Sequence, residues 1–135
     1  MKETKFILDS YALLAYFQAE PGGEQVYEIL KKSRQGDVST FVSIINLGEI
    51  YYIIARKKGK AAAKEIIQSI SDLPLGILEA STERVLAAAE VKSDNHLSYA
   101  DAFVASAALE LSAVIVTGDH EFKALESCTR IQWIS

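Results

Sequence analysis

The strongest constraint on this chain is its alternation of very short, continuously apolar runs with longer segments of helical period. Phe6-Ile7-Leu8 and Ala113-Val114-Ile115-Val116 are apolar at successive positions, not at every second one. A strand of that kind is buried on both faces, as in a parallel sheet with helices on each side. Strands are predicted at Lys5–Leu8, Val38–Phe41, Leu75–Leu78, Ala113–Thr117 and Arg130–Trp133. Between them the pattern predicts helices over Ser10–Gln18, Glu24–Arg34, Ser43–Lys58, Lys60–Leu73, Thr82–Lys92 and Ser98–Ser112, with a short one near His120–Leu125. Pro21-Gly22-Gly23, Gly36 and Gly59 supply stops, and Ser43 and Ser81 supply N-caps. The expected fold class is α/β, a three-layer α/β/α sandwich with a mostly parallel central sheet. The 135 residues suit one domain, 1–135.

Composition narrows the function. Hydrophobic residues are 50% of the chain and charged residues 24%, enough to build a core. The net charge is −4, which excludes a uniformly basic nucleic-acid coat. The charge is uneven, however. Residues 1–67 carry 10 basic and 8 acidic side chains, whereas residues 68–135 carry 4 and 10. The basic excess gathers at Arg56, Lys57, Lys58, Lys60 and Lys64, a solvated helix end or a phosphate-contacting patch. A lone Cys128 excludes an internal disulfide and a Cys-cluster zinc site. His96 and His120 lack metal-ligand spacing and a nucleophile signature. No P-loop or dinucleotide glycine pattern occurs. Asp9 interrupts the apolar N-terminal stretch, which argues against a signal peptide, and the run Ile50–Ala55 is too short to span a bilayer. The expectation is a soluble, cytoplasmic protein without a membrane partner.

In open parallel sheets, ligands sit beyond the carboxyl ends of the strands, so the residues just after strands matter most. Two are carboxylates: Asp9 and Asp119. Each is equally readable as a helix N-cap or as a metal ligand, and one carboxylate has an oxygen for each task. Glu121 suits the N-terminus of a short helix or a cation. Asp101 closes a Ser98-x-x-Asp101 capping-box pattern, before a helix apolar on nearly every side. Such a helix is buried, so an unpaired carboxylate at its start is costly.

Glu49 reads most simply as an exposed helix residue. It shares a polar flank with Asn46, Arg56 and Lys57, opposite Ile44, Leu47, Ile50 and Ile54. Two details resist that reading. No cation stands at i+3 or i+4. Gly48 sits in mid-helix at a cost of ~1 kcal/mol relative to Ala, which suggests close backbone packing there.

Four stretches together resemble the PIN-domain family of metal-dependent ribonucleases, most closely its VapC-like toxin branch. They are Phe6-Ile-Leu-Asp9-Ser10, Ser43-Ile-Ile-Asn46-Leu-Gly-Glu49, Leu97-Ser-Tyr-Ala-Asp101-Ala-Phe and Val116-Thr117-Gly-Asp119-His-Glu121-Phe. The resemblance implies a PIN-like sandwich in which Asp9, Glu49, Asp101 and Asp119 are catalytic and metal-holding, with Ser10 and Thr117 as supporting hydroxyls. Glu121 matches a variable extra acid of the family. The implied cofactor is Mg²⁺ or Mn²⁺, which would relieve repulsion among the four carboxylates. The implied reaction is hydrolysis of RNA phosphodiesters, leaving a 5′-phosphate and a 3′-hydroxyl, with Arg56, Lys57 and Lys58 contacting RNA. The implied partners are a second copy in a homodimer and a small antitoxin, for which helices Glu24–Arg34 and Ser43–Lys58 are candidate surfaces.

Two other functions compete. A non-catalytic PIN-like scaffold would bind RNA or protein through the same fold. An aspartyl-phosphate enzyme or receiver domain would want a late-strand Lys, or an Asp two residues after Asp9, where Tyr11 stands instead.

Overall fold

The computed structural model describes residues 3–135. Five strands form one sheet: β1 (Thr4–Leu8), β2 (Val38–Ser43), β3 (Leu75–Leu78), β4 (Val114–Thr117) and β5 (Ile131–Trp133). Their spatial order is β3-β2-β1-β4-β5, and every pairing is parallel. The sheet is therefore wholly parallel, as the unalternated apolar runs require. The six α-helices are α1 (Ser10–Phe17), α2 (Gly23–Arg34), α3 (Ile44–Lys58), α4 (Lys60–Ser71), α5 (Thr82–Asp94) and α6 (Tyr99–Leu111). The segment His120–Leu125 is a 3-10 helix.

Successive strand residues point to opposite faces, and the core divides accordingly. Leu8 and Val116 join one cluster with Leu13, Val26, Leu30, Ile50, Ile54 and Ile70 from α1–α4. Ile7 and Ile115 join the other with Val104, Ala105 and Ala108 of α6 and Phe122. The expected buried helix is α6, on which Ala102, Phe103, Val104, Ala105, Ala107 and Ala108 are all buried. The apolar stripes of α2 and α3 also face inward: Val26, Ile29 and Leu30 on one, Ile50 and Ile54 on the other. Those stripes are covered by the chain itself, so as partner surfaces these helices offer their outer faces.

Two local expectations change. The strand expected to end at Phe41 runs on to Ser43, which both closes β2 and caps α3 through its hydroxyl, accepting from Ile45 N at 3.2 Å. Gly48 has no close packing around it, because a Cβ there would meet nothing within 4 Å. The glycine leaves open surface beside Glu49 and does not admit a neighbouring backbone.

The strand order places the site. The chain winds outward from β1 to β3, then crosses back to add β4 on the other side of β1. The connections leave β1 and β4 in opposite directions, opening a crevice at their carboxyl ends. Asp9 follows β1, and Thr117 ends β4.

Candidate active site

Asp9 lies at the floor of that crevice and is 1% exposed. Its Oδ1 accepts the Ala12 amide at 2.8 Å, capping α1, and its Oδ2 accepts the Thr117 hydroxyl. The expected cap falls on one oxygen, and the other takes a lateral contact from β4. Burial pushes its carboxyl up from 3.8 to about 7, against the pull of the Thr117 and Ala12 hydrogen bonds, and the charges of Asp119 and Glu49 push the same way. Thr117, fully buried, also accepts the Asp119 amide through Oγ1 at 2.9 Å. One hydroxyl therefore locks together the residues that follow two adjacent strands.

On the other flank, Asp101, Asp119 and Glu121 each present an oxygen within 4.8 Å of the others. Asp101 is buried, and its carboxyl is pushed up to about 8, first by desolvation and then by the charges of Asp119 and Asp9 and by Glu121. The capping box is only half closed. Asp101 N donates to Ser98 Oγ at 3.2 Å, but the Ser98 amide donates to Glu121 Oε1 at 3.3 Å. Glu121 takes the contact that the box would assign to Asp101, leaving the Asp101 carboxylate to the cluster. Asp119 Oδ1 accepts the Glu121 amide at 2.9 Å, so it caps the 3-10 helix as well.

Glu49 reaches the crevice from α3. Ser10 Oγ donates to its Oε1 at 2.5 Å, and Asn46 Nδ2 donates to Ser10 Oγ at 3.1 Å and to Glu49 Oε1 at 3.4 Å. Asn46 is fully buried, not part of an exposed flank, and its Oδ1 has no partner. The carboxylate and the serine both need a donor, which sets which way the amide faces.

No Lys or Arg answers these acids: among the described residues the ion pair is Arg84–Glu110, with N···O 3.0 Å. A set of oxygen donors this close, without a cation and with two carboxyls driven toward their neutral forms, fits a hard divalent ion. Arg56, Lys57 and Lys58 stand apart from the cluster, exposed in the last turn of α3.

A PIN domain profile matches residues 6–127, from β1 to just beyond the 3-10 helix. The chain belongs to the PIN domain family. Among solved structures, VapBC2 from Rickettsia felis bound to a DNA fragment from its promoter matches with a TM-score of 0.75 at 17% identity, over 98% of this chain and 100% of that one. VapC20 from Mycobacterium tuberculosis, a sarcin-ricin loop cleaving toxin, matches with a TM-score of 0.69 at 14% identity, over 88% and 93%. FitAcB from Neisseria gonorrhoeae matches with a TM-score of 0.68 at 20% identity, over 93% and 95%. These likenesses are of fold. Comparison with curated protein sequences gives no match.

In this PIN domain, Asp9, Glu49, Asp101 and Asp119, remote in sequence, gather around one crevice with Ser10 and Thr117 between them. The residue underrated from sequence is Glu121, matched only to a variable extra acid, yet its carboxylate lies with those of Asp101 and Asp119. Asn46, which the helical projection puts on an exposed polar flank, is the other. Its signal was its place one helical turn before Glu49, which puts it beneath that carboxylate. No helix among the described residues is long and apolar enough to cross a membrane.

Proposed function

We propose that this PIN domain is a metal-dependent endoribonuclease and the toxin of a toxin–antitoxin pair, working as one domain over 1–135. The observation that carries the reading is the meeting of Asp101, Asp119 and Glu121 within 4.8 Å, beside a buried Asp9 and without a paired cation. Asp101, Asp119 and Glu121 would hold a Mg²⁺ or Mn²⁺ ion, with Asp9 beneath them. The ion would offset the carboxylate repulsion and supply a water acidic enough to attack a phosphodiester at neutral pH.

The chain's own residues orient the rest. Thr117 holds Asp9 and the Asp119 backbone in fixed relation. Ser10 and Asn46 fix Glu49, which orients the attacking water. Lys57 and Lys58, with Arg56, hold the RNA backbone outside the crevice. Water attack at phosphorus with departure of the 3′ oxygen leaves a 5′-phosphate and a 3′-hydroxyl. The likeness to VapBC complexes supports a small antitoxin that covers the crevice, and the proposed working state is a cytoplasmic homodimer.

The test is cleavage of a labelled oligoribonucleotide in Mn²⁺ and in EDTA, with end-group analysis of the products. Wild type should cut only with metal, and Asp9→Asn and Asp101→Asn should lose the activity. Equal cleavage by wild type and both variants marks a contaminant. A wild type that binds RNA and never cuts it is a scaffold, not an enzyme.

A further inference from the structure

Four tyrosines are exposed among the described residues, and three of them stand within three residues of Asp9, Glu49 or Asp101. Tyr11, 43% exposed, follows Ser10, and its ring lies against Gly118, between Thr117 and Asp119, where a Cβ would collide with it. Tyr52, 48% exposed, is one turn beyond Glu49 on α3, and the Arg56 guanidinium sits over its ring, 5.1 Å from the centroid. The Ser10–Glu49 hydrogen bond ties these two neighbourhoods together. Tyr99, 44% exposed, is two residues before Asp101 and packs on Phe103 with ring centroids 5.1 Å apart. It borders a cleft of about 900 Å³ whose wall includes Lys92, His96 and Glu121, so the cleft and the acid cluster share Glu121.

Large exposed rings beside a polyanion-cutting site have a physical use. Each ring is braced on one side, by Gly118, by Arg56 or by Phe103, and a braced ring loses little freedom when a flat ligand stacks on it. A base is such a ligand, and an arginine packed on the ring adds a second flat, cationic surface to it. The run Arg56, Lys57, Lys58 continues from Tyr52 and complements the phosphates on the same strand. A duplex keeps its bases stacked inside and offers none to such rings, whereas a loop or single strand does.

Resting on the nuclease reading, we propose that Tyr11, Tyr52 with Arg56, and Tyr99 form a base-stacking platform on the rim of the acid crevice. Tyr11 and Tyr52 receive bases on the Glu49 side. Tyr99 and its cleft receive the base on the Glu121 side. The fourth exposed tyrosine, Tyr27 on α2, is 50% exposed, lines a different pocket with Pro21 and Gln25, and serves as an internal control.

The test is fluorescence anisotropy in Ca²⁺ with three probes: a short single-stranded oligoribonucleotide, the same strand made abasic at its centre, and the intact strand in a perfect duplex. Tyr52→Leu and Tyr11→Leu should each weaken binding of the intact single strand about 5- to 150-fold. Binding of the abasic strand should change little, and Tyr52→Phe and Tyr11→Phe should bind as wild type does. Tyr27→Leu should change nothing, and wild type should prefer the single strand to the duplex. Unchanged single-strand affinity in both Leu variants overturns the proposal and leaves the rings to a protein partner. Equal losses on the intact and abasic strands overturn it too, since the rings would then act on the backbone. A wild type that binds none of the probes defeats the nuclease reading itself, so the two failures are distinguishable.

Discussion

In the absence of divalent metal, this protein should lose stability as pH rises from about 5 to 8, and Asp9 and Asp101 should be the reasons. Its carboxyl titrates near 7 in the folded state against 3.8 ordinarily, a difference of about 3 pH units. At 1.36 kcal/mol per unit, ionising it inside the crevice and not in the unfolded chain costs about 4 kcal/mol. The sign follows from proton counts. Between pH 3.8 and 7 the folded protein holds a proton that the unfolded chain has released, so raising pH favours unfolding. The contribution is fully present below the lower value and gone above the upper one. Asp101, pushed up to about 8, adds a slope of the same sign that extends the loss past neutrality. Urea unfolding in EDTA at several pH values measures it. Asp9→Asn keeps a side chain able to cap α1 while removing the charge. It should match wild type near pH 4 and be more stable at pH 8 by about 4 kcal/mol, with a flatter curve. Saturating Mn²⁺ should restore wild type at pH 8, and help Asp9→Asn less. A wild type whose stability stays level or climbs from pH 5 to 8 in EDTA contradicts this account. So does an Asp9→Asn protein that gains nothing at pH 8.

Reversing the charges of Lys57 and Lys58 to Glu should weaken RNA binding and flatten its dependence on salt, because each lost phosphate contact releases one counterion fewer; an unchanged slope in a salt titration removes these residues from the interface. Gly48→Ala should stabilise the fold by about 0.5–1 kcal/mol, since the added methyl meets open space in a helix interior; a lower melting temperature would show that the position packs. Asn46→Leu should cost about 1–3 kcal/mol in urea melts, because Ser10 and Glu49 lose a buried donor, and it should impair catalysis more than RNA affinity.

The layout was legible where burial controls sequence. Val114-Ile115-Val116 is apolar at every position because helices cover both faces of its sheet, and α6 is apolar all round because it lies between that sheet and α5. Gly59 and Ser81 marked real boundaries because a left-handed turn and a cap each demand particular chemistry. Gly48 misled because a glycine has two opposite uses, admitting a neighbour or leaving space, and sequence does not separate them. Glu49 was invisible to amphipathicity for a related reason. That projection sorts residues by apolar core against water, and a crevice lined with acids counts as water. Only the motif spacing linked Glu49 to Asp9, Asp101 and Asp119.

The Ser98 amide shows why the closest acids were the hardest to rank. From sequence, Ser98-x-x-Asp101 is a cap that satisfies itself, which makes Asp101 structural and leaves Glu121 a spare. In the fold the roles are exchanged, because the turn after β4 brings Glu121 to the start of α6 and lets it accept the Ser98 amide. Half of a local hydrogen-bond pair is thereby supplied from 23 residues away. The exchange frees the buried Asp101 carboxylate at the point where Asp9 and Asp119 raise the cost of its charge. A helix start that needed only stability would close its own box. One that borrows a distant glutamate and leaves its own acid without a cation fits the proposed metal site.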